Sequence, residues 1–188
     1  VKEFIDYVKA NADKLSYAST GNGSITHLGS ALLLGRIGAK VTHVPYRGSA
    51  PALVDLAGGR VHFMSDTINS SLPFIKDGRL KPLAVTSTKR LAALPDTPTL
   101  TELGLQDLEI GAWQGIVAPA GTPGEVVTKV NAAMMTALKN PEFLSRLEVQ
   151  QTTPLGSTPE EYGKYILAEI ARWDKVVKDN GITINCSP

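Results

Sequence analysis

Apolar side chains fall at helical spacing from the start of this sequence. Phe4, Ile5 and Val8 share one face of residues 2–10, which predicts an amphipathic helix. A short strand is expected at 17–19. A helix follows over 24–35, with Ile25, Leu28 and Leu32 apolar. The alternation continues with a strand at 41–44 and the turn Pro45-Tyr-Arg-Gly-Ser49. Next come a helix over 50–57 that stops at Gly58-Gly59 and a strand at 61–64. A short helix over 67–76 closes at Asp77-Gly78, a strand covers 80–86, and 91–98 is a loop. Thr99 and Glu102 form a capping box for a short helix at 99–103, and a strand is expected at 111–118. Strand and helix in this rhythm predict an α/β fold whose sheet is mainly parallel and covered by helices on both faces.

The last third changes character. No strand signal follows Ala118. Thr122-Pro-Gly-Glu125 reads as a capping box with proline at the first helical position, and the helix behind it carries Val126, Val130, Met134 and Leu138 on one stripe. A second helix covers 141–150. Thr158-Pro-Glu-Glu161 opens a third, with Tyr162, Ile166, Ile170, Trp173 and Val177 on one face and a stop at Asn180-Gly181. Such stripes must be covered. Burying the Trp173 stripe alone is worth several kcal/mol at ~25 cal/mol per Å². The expected cover is either an N-terminal segment outside this chain or self-association. No internal repeat is present.

Composition removes several function classes. The chain has 188 residues, 43% hydrophobic and 20% charged, with a net charge of +1, so no nucleic-acid or anionic-membrane surface is expected. The longest apolar run, Ala31-Leu-Leu-Leu, breaks at Gly35-Arg36, well short of a membrane span. Cys186 is the single cysteine, which excludes an intrachain disulfide and a cysteine-based metal site. Val1 to Val8 reads as amphipathic helix and not as a secretion signal, so any leader lies outside this chain.

Three places carry candidate chemistry. Tyr17-Ala-Ser-Thr-Gly-Asn-Gly-Ser-Ile-Thr-His-Leu28 is a strand end, a small-residue turn and a helix start, so a ligand can approach its backbone and meet unpaired amides. It lacks the Gly-Lys-Ser/Thr of a phosphate loop, and Thr26 stands where a dinucleotide fingerprint needs glycine. The structural alternative is a tight turn with Ser24 as helix cap. Arg47-Gly-Ser-Ala-Pro51 repeats the device, with Ser49 as expected cap. Arg47 either grips a carboxylate with two bonds or is a solvated surface residue. Ser65-Asp66 follows a third strand; Asp66 is a ligand acceptor, a brace for the facing turn, or a cap for the helix from Thr67. Parallel strands would bring all three to one sheet edge, where open α/β folds bind ligands. Tyr46 either lines a cleft or packs, and Trp113 reads as core. His27, His43 and His62 have no ligand spacing, so no metal is expected. No nucleophile motif is present either.

On Tyr17-Ala-Ser-Thr-Gly-Asn-Gly-Ser, His43-Val-Pro-Tyr-Arg-Gly-Ser-Ala-Pro-Ala-Leu, Leu83-Ala-Val-Thr-Ser-Thr-Lys-Arg, Leu94-Pro-Asp-Thr-Pro-Thr, Val117-Ala-Pro-Ala-Gly-Thr-Pro and Ile170-Ala-Arg-Trp-Asp-Lys-Val-Val-Lys, the chain resembles a known family. These are the periplasmic substrate-binding receptors of tripartite tricarboxylate transporters, the Bug family. The resemblance implies a type 2 periplasmic-binding-protein fold, a venus flytrap that closes on a small carboxylate or amino acid and delivers it to membrane permease subunits. In that family both chain ends build the first lobe and the middle builds the second. Residues 1–112 would then be lobe two, and 113–188 the C-terminal part of lobe one. The N-terminal half of lobe one, with a Pro-rich Gly-Gly loop that helps hold the carboxylate, is not in this sequence. The resemblance makes Ser19, Thr20, Gly21, Asn22, Gly23, Ser24, Gly48, Ser49, Ala50 and Asp66 ligand contacts, without cofactor.

Two other readings stay open at this point. One is an α/β enzyme acting on a small anion, with Asp66 or a histidine as base. Its mark would be a base within hydrogen-bond reach of a nucleophile. The other is a ligand-sensing partner of a signalling system.

Overall fold

The computed structural model describes residues 1–183. Its chain order is α1 (Lys2–Asn11), β1 (Ser16–Ser19), α2 (Ile25–Ile37), β2 (Thr42–Pro45), α3 (Ser49–Ala57), β3 (Phe63–Met64), α4 (Ile68–Lys76), α5 (Gly124–Ala137), α6 (Pro141–Val149) and α7 (Pro159–Asp179). The chain divides into two compact units, Val1–Ala112 with the stretch from Lys175 onward, and Trp113–Asp174. The end of α7 therefore groups with the first unit.

In the first unit β1 is the central strand of a parallel sheet, in the order β2-β1-β3. Tyr17 lies opposite His43 on one side and Phe63 on the other, and Ala18 opposite Val44 and Met64. Neighbouring side chains on a strand point to opposite faces. Tyr17 accordingly joins Val8, Leu15, Leu34 and Ile37 beneath α1 and α2. Ala18 joins Ala52 and Val61, packed by Leu56 of α3, on the other face. Both faces are covered, as the alternating pattern predicts. Gly29 of α2 lets the 108–110 stretch come close, since a β-carbon there would sit 2.9 Å from Ile110 Cγ2.

Some expected elements are reduced or absent. Residues 80–86 form no strand; Val85 makes one parallel bridge to Thr99, through its amide to the Pro98 carbonyl (2.9 Å) and its carbonyl to the Leu100 amide (2.9 Å). Pro82 supplies no N–H there. Residues 111–118 also form no strand, and no partner strand lies beside them among the described residues. A strand is stable only as part of a ladder. At 99–103 the capping-box bonds form, with the Thr99 amide on Glu102 Oε2 (2.8 Å) and the Glu102 amide on Thr99 Oγ1 (3.0 Å). The chain nevertheless makes only turns before Gly104, at φ 82°.

In the second unit the box at 122–125 does not close. Thr122 Oγ1 donates to the Pro119 carbonyl (2.8 Å), and α5 starts one residue late with Pro123 as its cap. The box at 158–161 does close: the Glu161 carboxylate accepts the Thr158 amide at 2.8 Å, and that bond holds its pKa below the ordinary value. Trp113 meets the rings of Tyr162 and Tyr165 edge-on at 5.8 and 5.4 Å. Gly115 lies against Tyr162 with no room for a β-carbon. Among the described residues none between Trp113 and Asp174 is buried, and Val126, Val130, Leu167 and Ile170 stand exposed. No helix among the described residues is long and apolar enough to cross a membrane.

Candidate functional site

The parallel sheet brings three segments to one edge, because the C-terminal ends of adjacent parallel strands lie side by side. They are the turn after β1, the turn after β2, and Asp66 just past β3. The first two are tied directly: the Tyr46 amide donates to the Ser19 carbonyl at 2.9 Å.

The turn at 19–24 is held by its own side chains. Gly21 and Gly23 take φ values of 137° and 72°, open to glycine and strained for other residues. Ser24 caps α2 by accepting the His27 amide at 3.2 Å, and its hydroxyl donates back to the Gly21 carbonyl at 2.7 Å. The Thr20 amide donates to Thr26 Oγ1 at 2.8 Å, and the Gly23 amide to His27 Nδ1 at 3.1 Å. That leaves the amides of Asn22, Ile25 and Thr26 without an acceptor among the described residues. They are the donors an anion would find here.

Ser19 lies inside this arrangement and not on its surface. It is fully buried, its oxygen accepts the Gly21 amide at 3.2 Å, and His43 Nε2 sits 2.6 Å away. The residue shapes the turn from behind.

In the second turn Gly48, at φ 107°, is the helix cap, and the expected capping bond from Ser49 does not form. Ser49 is the first residue of α3 and its hydroxyl donates to Asp66 Oδ1 at 2.8 Å. Ser70 Oγ donates to Asp66 Oδ2, also at 2.8 Å. Asp66 thus braces the facing turn; the cap position of α4 belongs to Thr67, which makes no side-chain capping bond. The amides of Gly48, Ser49 and Ala50 have no acceptor among the described residues. Arg47 is exposed at the end of β2 and makes no ion pair among the described residues. Tyr46 turns to α3, where its hydroxyl donates to Asp55 Oδ2 at 2.9 Å; removal from water, then that bond, raise its pKa. Arg60 and this tyrosine hold the Asp55 carboxyl below its ordinary value.

Sequence reasoning treated the histidines singly and missed their arrangement. The rings of His27 and His43 stack at 3.8 Å with an interplanar angle of 8°, and Tyr17 stacks on His43 at 4.9 Å. Burial lowers the His27 pKa. Burial, then the charge of His27, lowers His43 to about 4. Tyr17 is pushed up to about 12 by burial. The Ser19–His43 pair meets the distance mark of a nucleophile and base, but the serine oxygen is sealed from substrate and no carboxylate bonds the imidazole among the described residues. Among the described residues no three potential metal ligands cluster.

Comparison with known proteins identifies the family and the fold. Residues 1–182 match the family model described as "Tripartite tricarboxylate transporter family receptor", and the chain belongs to that family. A relative from Pseudomonas sp. (strain P51), the UPF0065 protein in the tcbD-tcbE intergenic region, is 37% identical over 98% of this chain and 55% of its own length. Another, from the clcB-clcD intergenic region of Pseudomonas knackmussii, is 36% identical over 88% of this chain and 98% of its own. Among solved structures, R. palustris Rpa4515 with adipate superposes with a TM-score of 0.85 at 38% identity, covering 97% of this chain and 61% of that one. MatC from Rhodopseudomonas palustris, with bound malate, gives 0.78 at 35% identity, covering 94% and 61%. The fold is that of periplasmic solute-binding proteins, and family and fold alike are those of solute-binding receptors. The chain spans about half the length of the first of these relatives.

Proposed function

We propose that this chain carries the ligand-gripping half of an extracytoplasmic receptor for a small carboxylate or amino acid. Residues 1–112, which the end of α7 from Lys175 joins, act as lobe two, and 113–174 belong to lobe one. The observation that carries this is the pair of small-residue turns at one sheet edge, each presenting unpaired amides, with Asp66 bracing between them. Unpaired amides at the start of a helix favour an anion. Neither turn holds a lysine that would match a phosphate, and Arg47 stands where a carboxylate can be paired. That two structural neighbours hold adipate and malate supports a carboxylate of this kind. The Asp66 carboxylate, at the rim, suits a ligand hydroxyl or ammonium. Closure of a second lobe would complete the grip, and a membrane permease would take the ligand from the periplasm.

Calorimetry with adipate, malate and a neutral diamide of adipate tests this. Binding of the acids and not of the diamide is expected; equal binding of all three, or of none, would remove the carboxylate reading.

A further inference from the structure

We propose that His27 and His43 are positioning residues for the ligand turn: as a neutral stacked pair they hold residues 19–24 in shape, and a proton taken up by His27 releases Gly23. This rests on the carboxylate reading of that turn.

The bond that matters is the one from the Gly23 amide to His27 Nδ1, at 3.1 Å. An amide nitrogen can only donate, so Nδ1 must offer a lone pair and the ring is neutral with its hydrogen on Nε2. A second proton would go to Nδ1 and set two N–H groups against each other. His27 is 7% exposed, so water has little room to mediate. The partner ring holds the opposite side of the turn, through Ser19 Oγ at 2.6 Å from His43 Nε2. This bond survives protonation of His43, because the serine oxygen can accept. The sensitivity therefore lies in His27.

The surroundings oppose a charge on either ring. β1 contributes the Tyr17 ring, 6.3 Å from His27 and 4.9 Å from His43. The segment after α2 contributes Lys40, and the end of α7 contributes Asp179; both line, with the two histidines, a cavity of about 640 Å³. Asp179 is already engaged by Lys175 at 2.7 Å. No carboxylate bonds either imidazole among the described residues. Burial alone lowers His27, whereas His43 also feels the charge of His27, so His27 takes the first proton. Stacking at 3.8 Å then opposes a second.

Nuclear magnetic resonance on the isotopically labelled chain, titrated from about pH 7.5 to about pH 4.5 across the ordinary imidazole value, tests this. The Gly23 amide is expected to leave its hydrogen-bonded position with the midpoint of the His27 ring, below 6.5. His27→Asn places an oxygen where Nδ1 stood, so its Gly23 amide should stay bonded and flat over the same range. A Gly23 amide that does not move while His27 titrates overturns the assignment, as does a His27 midpoint at or above the ordinary value. Should the variant not fold, the wild-type titration decides alone. Adipate affinity at about pH 7.5 and about pH 5 is a separate readout, with a loss of roughly tenfold or more expected. Absent adipate binding at both would count against carboxylate capture, while the Gly23 titration still decides the role of His27.

Discussion

Ser49 Oγ donates to Asp66 Oδ1 at 2.8 Å, so the first residue of α3 is fastened to the residue just beyond β3. The second carboxylate oxygen takes the Ser70 hydroxyl of α4 at the same distance. One acidic side chain therefore sets the start of two helices. It does so at the edge where the amides of Gly48, Ser49 and Ala50 have no acceptor among the described residues.

Asp66→Ala should cost about 1–3 kcal/mol of stability, because two hydroxyls lose their acceptor at once. Adipate affinity should fall by about tenfold or more in the folded variant, since the α3 amides lose their fixed aim. Ser70→Ala should cost less than Asp66→Ala in both measures, because it leaves the Ser49 bond in place. Urea denaturation and calorimetry read the two effects. Unchanged affinity in folded Asp66→Ala would take the 48–50 turn out of the site.

Gly29→Ala probes the contact between α2 and the 108–110 stretch. The added β-carbon would lie 2.9 Å from Ile110 Cγ2 and 3.3 Å from its Cδ1, so the Ile110 side chain must shift. A loss of about 1–3 kcal/mol is expected from overpacking, and the double variant with Ile110→Ala, which removes both contacting carbons, should lose less than the sum of the two single variants. Denaturation midpoints of the four proteins check it. Additive losses would show that the two sites do not touch.

Stability should depend on pH at both ends of the range. His27 and His43 are depressed by burial, so the unfolded chain binds more protons than the folded one once the pH drops below 6.5. Their contribution is complete above 6.5 and is lost as the pH falls toward about 4. Tyr17 is raised, so its contribution is complete below 10.0 and is lost as the pH rises toward about 12. Thermal denaturation from acid to alkali should show a plateau between these limits. His43→Asn should flatten the acid side and leave the alkaline side alone. An acid limb that is the same in His43→Asn would remove His43 as its source.

Much of the first unit was legible because local signals decide it. Ser24 is a helix cap whose partner, the His27 amide, is three residues away, and glycine turns follow β1 and β2. Ser49 was misread as a cap because its partner, Asp66, lies 17 residues off, across a strand whose register the pattern leaves open. The histidine pair was hidden for the same reason, since the stack depends on how β2 and α2 lie against β1. Period-two alternation at Tyr17 and Ser19 puts both on one face, and pairing of Tyr17 with His43 is the step that aligns the rest. Residues 80–86 and 111–118 read as strands on composition, but a strand is a property of two segments, and among the described residues a single Val85–Thr99 bridge and the Ile110 amide on the Thr86 carbonyl stand where a ladder would be.

The exposed stripes of the second unit make the last prediction. Val130 on α5 is 44% exposed and Ile170 on α7 is 60% exposed, on helices whose neighbours include Val126 and Leu167, also open to water. A surface of this kind favours association with any apolar partner, including a second copy. Light scattering on the 188-residue chain should therefore show a mass that rises with concentration. Burying each of these side chains is worth about 1.5–3 kcal/mol, so Val130→Lys together with Ile170→Lys should weaken self-association by about 100-fold or more. Both changes lie outside the β1, β2 and Asp66 edge, so adipate binding should survive in the double variant. A wild-type chain that stays monomeric throughout would show that these stripes tolerate water, and the case for their being an interior surface would fall with it.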